Sequence, residues 1–244
     1  MSKLHLQLYS LRREFAADAE GTFRAVRGLG YDGVETAGTY GWEAARWKEL
    51  LGETGLEVAG AHIGLPELEG ALDRILDFQR EIGNRRLIVP GLAKELQDPD
   101  GFREAADRLM RLASAVRSDG FEVLYHNHAF EFHPLADGSR GMDILLANTQ
   151  PGLVRFEFDT YWLEKGGVNS LEFLRAHAPR TGMLHAKELR KQDGADVPAG
   201  QGDIQFPEIL GLAREHGWPV VVEFEGENAA EAVRLGAAHL RPLL

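Results

Sequence analysis

One sequence pattern recurs along the 244 residues of this chain: an amphipathic stretch ends in glycine, and a short apolar run follows at once. The run 56–61 follows Gly55 in this way, and the run 218–222 follows Gly217. Glycine just past a helix end tolerates the left-handed conformation that stops a helix. Because a helix, a glycine and a short buried strand make half of a βαβ unit, this glycine pattern predicts strands that alternate with helices.

The glycine pattern also gives approximate bounds for each strand and helix. Strands are predicted near 4–9, 33–37, 57–63, 86–90, 121–127, 154–159, 182–187 and 219–224. Helices are predicted near 19–29, 42–54, 66–82, 99–118, 141–148, 170–178, 206–216 and 228–240. Eight such pairs fit an α/β fold, a (β/α)8 TIM barrel that forms a single domain over residues 1–244. A doubly wound sheet fits less well, because no G-x-G-x-x-G follows the first strand.

Composition excludes several kinds of protein. The chain has no cysteine, which rules out disulfides, thiolate metal sites and thiol nucleophiles. Its 38 acidic and 27 basic residues leave a net charge of −11, which argues against a nucleic-acid partner because phosphate neutralisation needs a basic face. No apolar run approaches the roughly 18 residues that cross a bilayer, and no signal-peptide pattern follows Met1. We therefore expect a cytoplasmic protein with no membrane partner.

Charged and imidazole side chains collect at the predicted carboxyl ends of the strands, where a barrel carries its chemistry. Asp159, His185 and Glu223 end strands six, seven and eight, and Glu131 lies just beyond strand five. In a barrel these four side chains converge at the mouth. Three carboxylates and one imidazole suit Mn²⁺, and less selectively Mg²⁺, Co²⁺, Fe²⁺ or Zn²⁺. The sequence therefore predicts a divalent-metal site.

Each of these residues has a plainer interpretation when it is taken alone. An aspartate such as Asp159 often caps the turn or helix that follows, and a single histidine is more often a hydrogen-bonded core residue than a ligand. Glu223 is harder to explain in this way, because an unpaired carboxylate is costly to bury in an apolar strand. The sequence leaves open whether Glu157 and Glu225 share the inward face with the residues two positions away.

Several segments resemble one known family. The stretches Tyr125–Phe132 (YHNHAFEF), Asp159–Trp162 (DTYW) and His185–Glu188 (HAKE) look like strand-end motifs of the sugar phosphate isomerase/epimerase family, a xylose-isomerase-like TIM barrel group. The segments 7–12 and 30–35, and the stretch 200–206, are similar to its other recurring segments, in the same order. The motifs are specific for the family and say little about the substrate.

The resemblance implies a metal held by Glu, Asp, His and Glu from four strand ends. Asp159, His185 and Glu223 match three of these positions. Many relatives place the first Glu inside strand five, where this chain has no glutamate. We assign that ligand to Glu131, with His126 or His128 as the substitute.

The site and the resemblance together predict a metal-dependent isomerase or epimerase of a ketose, keto-sugar or sugar phosphate. A divalent ion that chelates a carbonyl and its neighbouring hydroxyl stabilises the enediolate formed when the α-proton leaves. Glu131 and Glu223 are expected as the base and acid, and Lys187 as a fixed positive charge. The residues expected to bind and position the substrate are Gln7, Glu35, His62, His126, His128 and Trp162.

Alternatives remain at this stage. A lyase could dehydrate a keto-inositol or act on a keto-glycoside, because the same enediolate can expel a β-hydroxyl. A non-catalytic sugar-binding barrel would carry no metal. An endonuclease IV-like DNA-repair enzyme fits poorly, because that group needs a histidine where this chain has Trp162.

The partner expected for the isomerase or epimerase and for the lyase is a small-molecule carbohydrate. The sequence leaves open whether this substrate is phosphorylated, since the Gly200-x-Gly202 loop is only a weak phosphate motif. A homo-oligomer also stays open, because helices on a barrel exterior can pack into dimers. Insertions after strands five and seven are the candidates for lids over the site.

Overall fold

A computed structural model describes residues 3–244. The strands are β1 (Leu4–Gln7), β2 (Gly33–Ala37), β3 (Glu57–His62), β4 (Arg86–Val89), β5 (Glu122–His126), β6 (Val154–Asp159), β7 (Thr181–Ala186), β8 (Glu188–Arg190), β9 (Ala195–Val197) and β10 (Val220–Val222). The helices are α1 (Arg12–Ala17), α2 (Ala19–Gly28), α3 (Ala44–Thr54), α4 (Leu65–Gly70), α5 (Leu72–Glu81), α6 (Pro99–Val116), α7 (Gly141–Asn148), α8 (Thr160–Lys165), α9 (Ser170–Ala176), α10 (Phe206–His216) and α11 (Ala229–Leu240).

The parallel strands close into a barrel in the order β1-β10-β7-β6-β5-β4-β3-β2. This arrangement confirms the predicted single-domain (β/α)8 fold. Two helices end as the glycine pattern predicts, because Gly55 after α3 and Gly217 after α10 both adopt the left-handed conformation. Within residues 3–244, no helix is long and apolar enough to cross a membrane.

Several elements differ from the prediction, since α1 and α8 are not predicted and β10 ends at Val222 rather than at 224. The first strand ends at Gln7 rather than at 9, because the Gln7 side chain accepts a hydrogen bond from the Tyr9 backbone N–H and starts a 3-10 turn. The helix predicted over 66–82 is broken at Ala71 into α4 and α5. The segment after β7 forms an antiparallel hairpin of β8 and β9, which the sequence pattern does not indicate.

The barrel interior is filled in layers, as in other closed barrels of this size. A small apolar cluster occupies the middle: Ala59, Ile88, Leu124, Met183 and Val221. Ion pairs lie towards the amino-terminal ends of the strands, where Glu57 contacts His5 and Glu122 contacts Arg155. The polar side chains of the opposite layer, at the carboxyl ends of the strands, form the candidate site.

Candidate functional site

A cavity of about 340 Å³ opens at the carboxyl ends of the strands. Its lining residues are Tyr9, Ala37, His62, Pro90, His126, His128, Glu223 and Glu225. A larger cavity of about 540 Å³ lies outside the barrel between α3 and α5, and none of the strand-end histidines lines it. Convergent titratable groups therefore favour the smaller cavity as the site of chemistry.

Four buried side chains meet beside this cavity. His126 from β5, Asp159 from β6, His185 from β7 and Glu223 after β10 each offer a ligand atom, and these atoms lie within 4.8 Å of one another. Among residues 3–244, three buried atoms of the group have no hydrogen-bond partner: His126 Nδ1, Asp159 Oδ2 and His185 Nδ1. Buried polar atoms are normally paired. Two imidazoles and two carboxylates, three of whose atoms lack a hydrogen-bond partner, fit a divalent cation.

Asp159 caps a helix and also directs one carboxylate oxygen to the ligand group. Its Oδ1 accepts a hydrogen bond from the Trp162 backbone N–H at 2.8 Å and so caps α8. Its backbone N–H donates to Asn127 Oδ1 at 3.0 Å. Both contacts hold the carboxylate in place while Oδ2 stays unpaired. Burial raises the pKa of Asp159.

His185 is oriented by a carboxylate beneath it. Its Nε2 lies 2.8 Å from Glu35 Oε1, and its Nδ1 lies 3.5 Å from Glu223 Oε2. Donation from Nε2–H to Glu35 leaves Nδ1 as the nitrogen that faces the other ligands. Glu35 is itself fixed by Gln7 Nε2, which donates to it at 2.6 Å. A side chain at Gly60 would crowd this region, because its Cβ would lie 2.5 Å from Ile88 Cδ1 and 3.1 Å from Glu35 Oε2.

Glu35, His62 and Glu157 form a buried network below the cavity. His62 Nε2 lies 2.9 Å from Glu35 Oε1 and 2.8 Å from Glu157 Oε2. Burial alone would raise the pKa of Glu35, but the charges of His62 and His185 hold it well below its usual range. Burial and the Glu35 carboxylate raise the pKa of Glu157 to about 8. Burial opposes the charge on His62, but the two carboxylates prevail and raise its pKa to about 10.

Lys187 lies among carboxylates at the mouth and is buried. Its Nζ is 3.2 Å from Glu223 Oε2 and 4.0 Å from Asp196 Oδ2, and it also pairs with Glu225. The ammonium lies 5.0 Å from the centroid of the Trp162 ring. Burial opposes the charge on Glu223, but Lys187 holds the pKa of this carboxyl well below its usual range.

Glu131 does not join the ligand group. Its Oε1 accepts from the Tyr125 hydroxyl at 2.8 Å and its Oε2 accepts from the His128 backbone N–H at 2.9 Å. Tyr125 packs in the outer core because it precedes His126 on β5, and neighbouring side chains of a strand point to opposite faces. Glu131 therefore lies behind the barrel wall, and the structure does not bring it to the ligand group where the sequence placed it. Of the alternatives for strand five, His126 is the residue brought to the group.

The residues expected to bind substrate separate into two sets. His62, His126 and His128 line the cavity. Gln7 and Glu35 are fully buried beneath the ligand group, so the expectation that they contact substrate is corrected to a supporting role. Trp162 is not among the lining residues; it packs 5.1 Å from the His128 ring and against Lys187.

Burial keeps two of these histidines uncharged. It lowers the pKa of His126 well below its usual range, and the charges of His185 and His62 add to the effect. It also lowers the pKa of His128 to about 4. A neutral imidazole is the form that ligates a metal, and His126 meets this condition. Burial opposes the charge on His185, but Glu157 and Glu35 raise its pKa well above its usual range, so a cation would have to displace a proton there.

Sequence reasoning left five contributors out of its site, namely Tyr9, Asn127, Asp196, Glu157 and Glu225, although it left open whether Glu157 and Glu225 face inward. A signal for Glu157 was present, because it precedes Asp159 by two residues and therefore points to the same face of β6. Asp196 carried no signal, since the β8–β9 hairpin brings it to the mouth.

Comparisons with known proteins agree with this architecture. A family model described as xylose isomerase-like TIM barrel matches residues 23–243. An inosose dehydratase from Clostridium perfringens is 22% identical over 237 residues, which cover 82% of this chain and 79% of that protein.

Two solved structures show the same fold. A sugar phosphate isomerase/epimerase from Parabacteroides distasonis superposes with a TM-score of 0.87 at 24% identity, over 100% of this chain and 96% of that one. A 3-keto-D-glucoside 4-epimerase from E. coli superposes with a TM-score of 0.70 at 20% identity, over 99% of this chain and 100% of that one. Identities this low establish a common fold and leave the reaction to be argued from the site.

Proposed function

Because the chain belongs to the xylose isomerase-like TIM barrel family, we propose that it is a divalent-metal-dependent isomerase or epimerase of a keto-sugar. The observation that carries this proposal is the buried group of His126, Asp159, His185 and Glu223, with its unpaired ligand atoms. These four side chains would hold the cation, and Mn²⁺ is the ion we favour. A bound cation would supply Lewis-acid polarisation of a substrate carbonyl, which makes the proton on the next carbon easier to remove.

The residues around the cavity supply the proton transfer. Glu223 is kept ionised by Lys187 and lines the cavity, so it is suited to accept the proton. His62 lines the same cavity and is held in its charged form by Glu35 and Glu157, so it is suited to return a proton. The strands before them, β10 and β3, stand three positions apart in the ring of eight. Donor and acceptor therefore approach from well-separated sides, as epimerisation requires.

A dehydratase is the second candidate, and the inosose dehydratase similarity favours it. The first step is the same proton removal. The electron pair of the broken C–H bond then forms a C=C bond, and the C–O bond of a β-hydroxyl breaks. With a proton from His62 that hydroxyl leaves as water.

The mass of the product separates the two reactions. We expect the Mn²⁺-loaded protein to convert a member of a ketose, keto-inositol and keto-glucoside panel. A product of unchanged mass supports epimerisation or isomerisation, and a loss of water supports dehydration. EDTA should abolish turnover and Mn²⁺ should restore it. Turnover that is indifferent both to chelation and to Glu223→Gln would contradict the proposal.

A matched pair of variants tests the ligand set. His126→Ala should weaken Mn²⁺ binding by at least about tenfold, because it removes one ligand. Glu131→Gln should leave the Mn²⁺ dissociation constant within about twofold, since Glu131 bonds to Tyr125 and the His128 N–H instead. Titration calorimetry measures both. The reverse order of effects would return the fourth ligand to Glu131.

A further inference from the structure

The charges that line the cavity are acidic apart from His62, whose Nε2 is engaged by Glu35 and Glu157. Glu223 and Glu225 both face it, and none of its lining residues in the described chain, 3–244, is lysine or arginine. A phosphate group in a protein is normally held by Arg, Lys or several backbone N–H groups. Such groups must therefore come from residues beside the cavity if the substrate carries a phosphate.

The nearest lysine is already engaged. Lys187 is 1% exposed, and its ammonium pairs with Glu223 and Glu225 and lies 4.0 Å from Asp196. Three carboxylates surround one positive charge. The ammonium is therefore already engaged by carboxyl groups before a substrate binds.

The glycine loop that resembles a phosphate motif is engaged as well. The Gly200 N–H donates to Glu188 Oε2 at 3.1 Å, and the Ile204 N–H donates to Glu188 Oε1 at 3.0 Å. Glu188 is 1% exposed and lies at the centre of this loop. The anion that the loop holds is therefore the chain's own carboxylate.

An aromatic ring is open at the same rim. Tyr9 lines the cavity and, within residues 3–244, is the large hydrophobic side chain that stays exposed, at 42%. The Arg12 guanidinium lies 4.3 Å from the centroid of the Tyr9 ring and so covers one side of it. An aromatic surface beside hydrogen-bond acceptors suits a ring that carries both C–H and O–H groups.

Building on the proposed function, we propose that the cavity takes an unphosphorylated keto-sugar or keto-polyol, whose ring packs on Tyr9 and whose outer hydroxyls donate to Glu225. Carboxylate oxygens accept hydrogen bonds from hydroxyls but repel a phosphate dianion. The rival cation is Arg12, which donates to the Tyr9 carbonyl at 2.8 Å and stands at the rim. A phosphate bound there would reverse the preference, and the experiment includes this outcome.

The test is titration calorimetry on the Mn²⁺-loaded protein with two matched pairs: D-fructose against D-fructose 6-phosphate, and myo-inositol against myo-inositol 1-phosphate. We expect the neutral member of each pair to bind at least about tenfold more tightly. Glu225→Gln should narrow this gap, because it removes a negative charge from the rim. Tyr9→Ala should weaken binding of the neutral member while Tyr9→Phe preserves it.

Equal or tighter binding of the phosphorylated members would overturn the proposal, and loss of that preference in Arg12→Gln would assign the phosphate to Arg12. Failure of both neutral ligands to bind would overturn it too. Turnover is measured separately on the same preparations. If discrimination persists while no keto-sugar is converted, the proposed reaction fails and the assignment of a neutral ligand stands. Thermal unfolding of each variant confirms that it is folded.

Discussion

His185 presents its two ring nitrogens to two different sets of carboxylates. Nε2 faces Glu35 in the interior, and Nδ1 faces Asp159 and Glu223 at 3.6 and 3.5 Å. A histidine ligand usually donates its other N–H to a carboxylate or carbonyl, which fixes the tautomer and the ring plane. Glu35 has this place, and it is buried too deeply to meet a substrate.

Glu35→Gln tests that role at the scale of one residue. Glutamine keeps the size of the side chain but removes the charge that holds the Nε2 proton. We expect Mn²⁺ or Co²⁺ affinity to fall by about 10- to 100-fold, with a changed visible absorption spectrum of the Co²⁺ form. Glu131→Gln is the matched control, because it neutralises a buried carboxylate outside the ligand group. An unaltered spectrum and affinity in Glu35→Gln would show that Glu35 only fills space.

At the scale of one element, Asp196 ties the hairpin of β8 and β9 to the mouth of the barrel. Asp196 Oδ2 accepts from the Glu225 backbone N–H at 2.8 Å and lies 4.0 Å from Lys187 Nζ. Burial raises the pKa of Asp196 to about 7. Because an isolated two-stranded hairpin is marginally stable, this contact adds to those that hold the hairpin elsewhere, such as the hydrogen bond from the Tyr161 hydroxyl to the Gly194 carbonyl at 3.2 Å and the burial of Leu189 and Val197.

Asp196→Ala should loosen this element. Hydrogen bonds to charged groups contribute about 1.5–3 kcal/mol, so amide exchange in β8 and β9 should accelerate by at least about tenfold. The KM for a converted keto-sugar should rise more than kcat falls, because the hairpin encloses the mouth. Asp193→Asn is the control on the same hairpin: Asp193 pairs with exposed Arg190 and accepts from the Ala195 backbone N–H, a bond that the asparagine Oδ1 can also accept. It should change neither exchange nor KM appreciably; equal effects of the two variants would mean that the contact at the mouth is unimportant.

The main elements could be predicted because their signals are local. Gly55 and Gly217 end their helices in the left-handed conformation, and the apolar runs after them enter the barrel. The hairpin could not be predicted in the same way, because Glu188 organises the loop after it through contacts 12 and 16 residues along the chain. Long-range pairing of this kind leaves no periodic pattern in the sequence.

The position of the candidate site could be predicted from the sequence, but the direction in which each side chain points could not. Asp159, His185 and Glu223 come together because parallel strands end at the same rim. The error over Glu131 arose from the turn after β5, where a 3-10 helix at Phe130–Phe132 directs its carboxylate to Tyr125. Sequence spacing alone does not reveal such a turn.

At the scale of the whole barrel, charged side chains lie at the amino-terminal ends of the strands, opposite the site. Glu57 pairs with Lys3 and with His5, whose Nε2 lies 3.1 Å away. At the same end Arg155 pairs with Glu122 at 2.6 Å. Lys3, His5 and Glu57 line a cavity of about 570 Å³ at this amino-terminal opening. The stability of the barrel should therefore depend on pH through residues that take no part in the chemistry.

Glu57 allows that dependence to be measured. The hydrogen bond from His5, with that from Lys3, lowers the pKa of Glu57 to about 2, although partial burial opposes this. A carboxyl whose folded-state pKa is depressed stabilises the fold above its unfolded pKa, and this contribution is lost as pH falls through the folded value. We expect Glu57→Gln to be less stable than wild type at pH 6, and the difference to shrink between about pH 4.5 and pH 2. Urea unfolding at a series of pH values measures it, with exposed Glu215→Gln on α10 as the control. A difference between Glu57→Gln and wild type that stays constant down to pH 2 would show that the ion pairs at the barrel base are too solvent-screened to stabilise its closure.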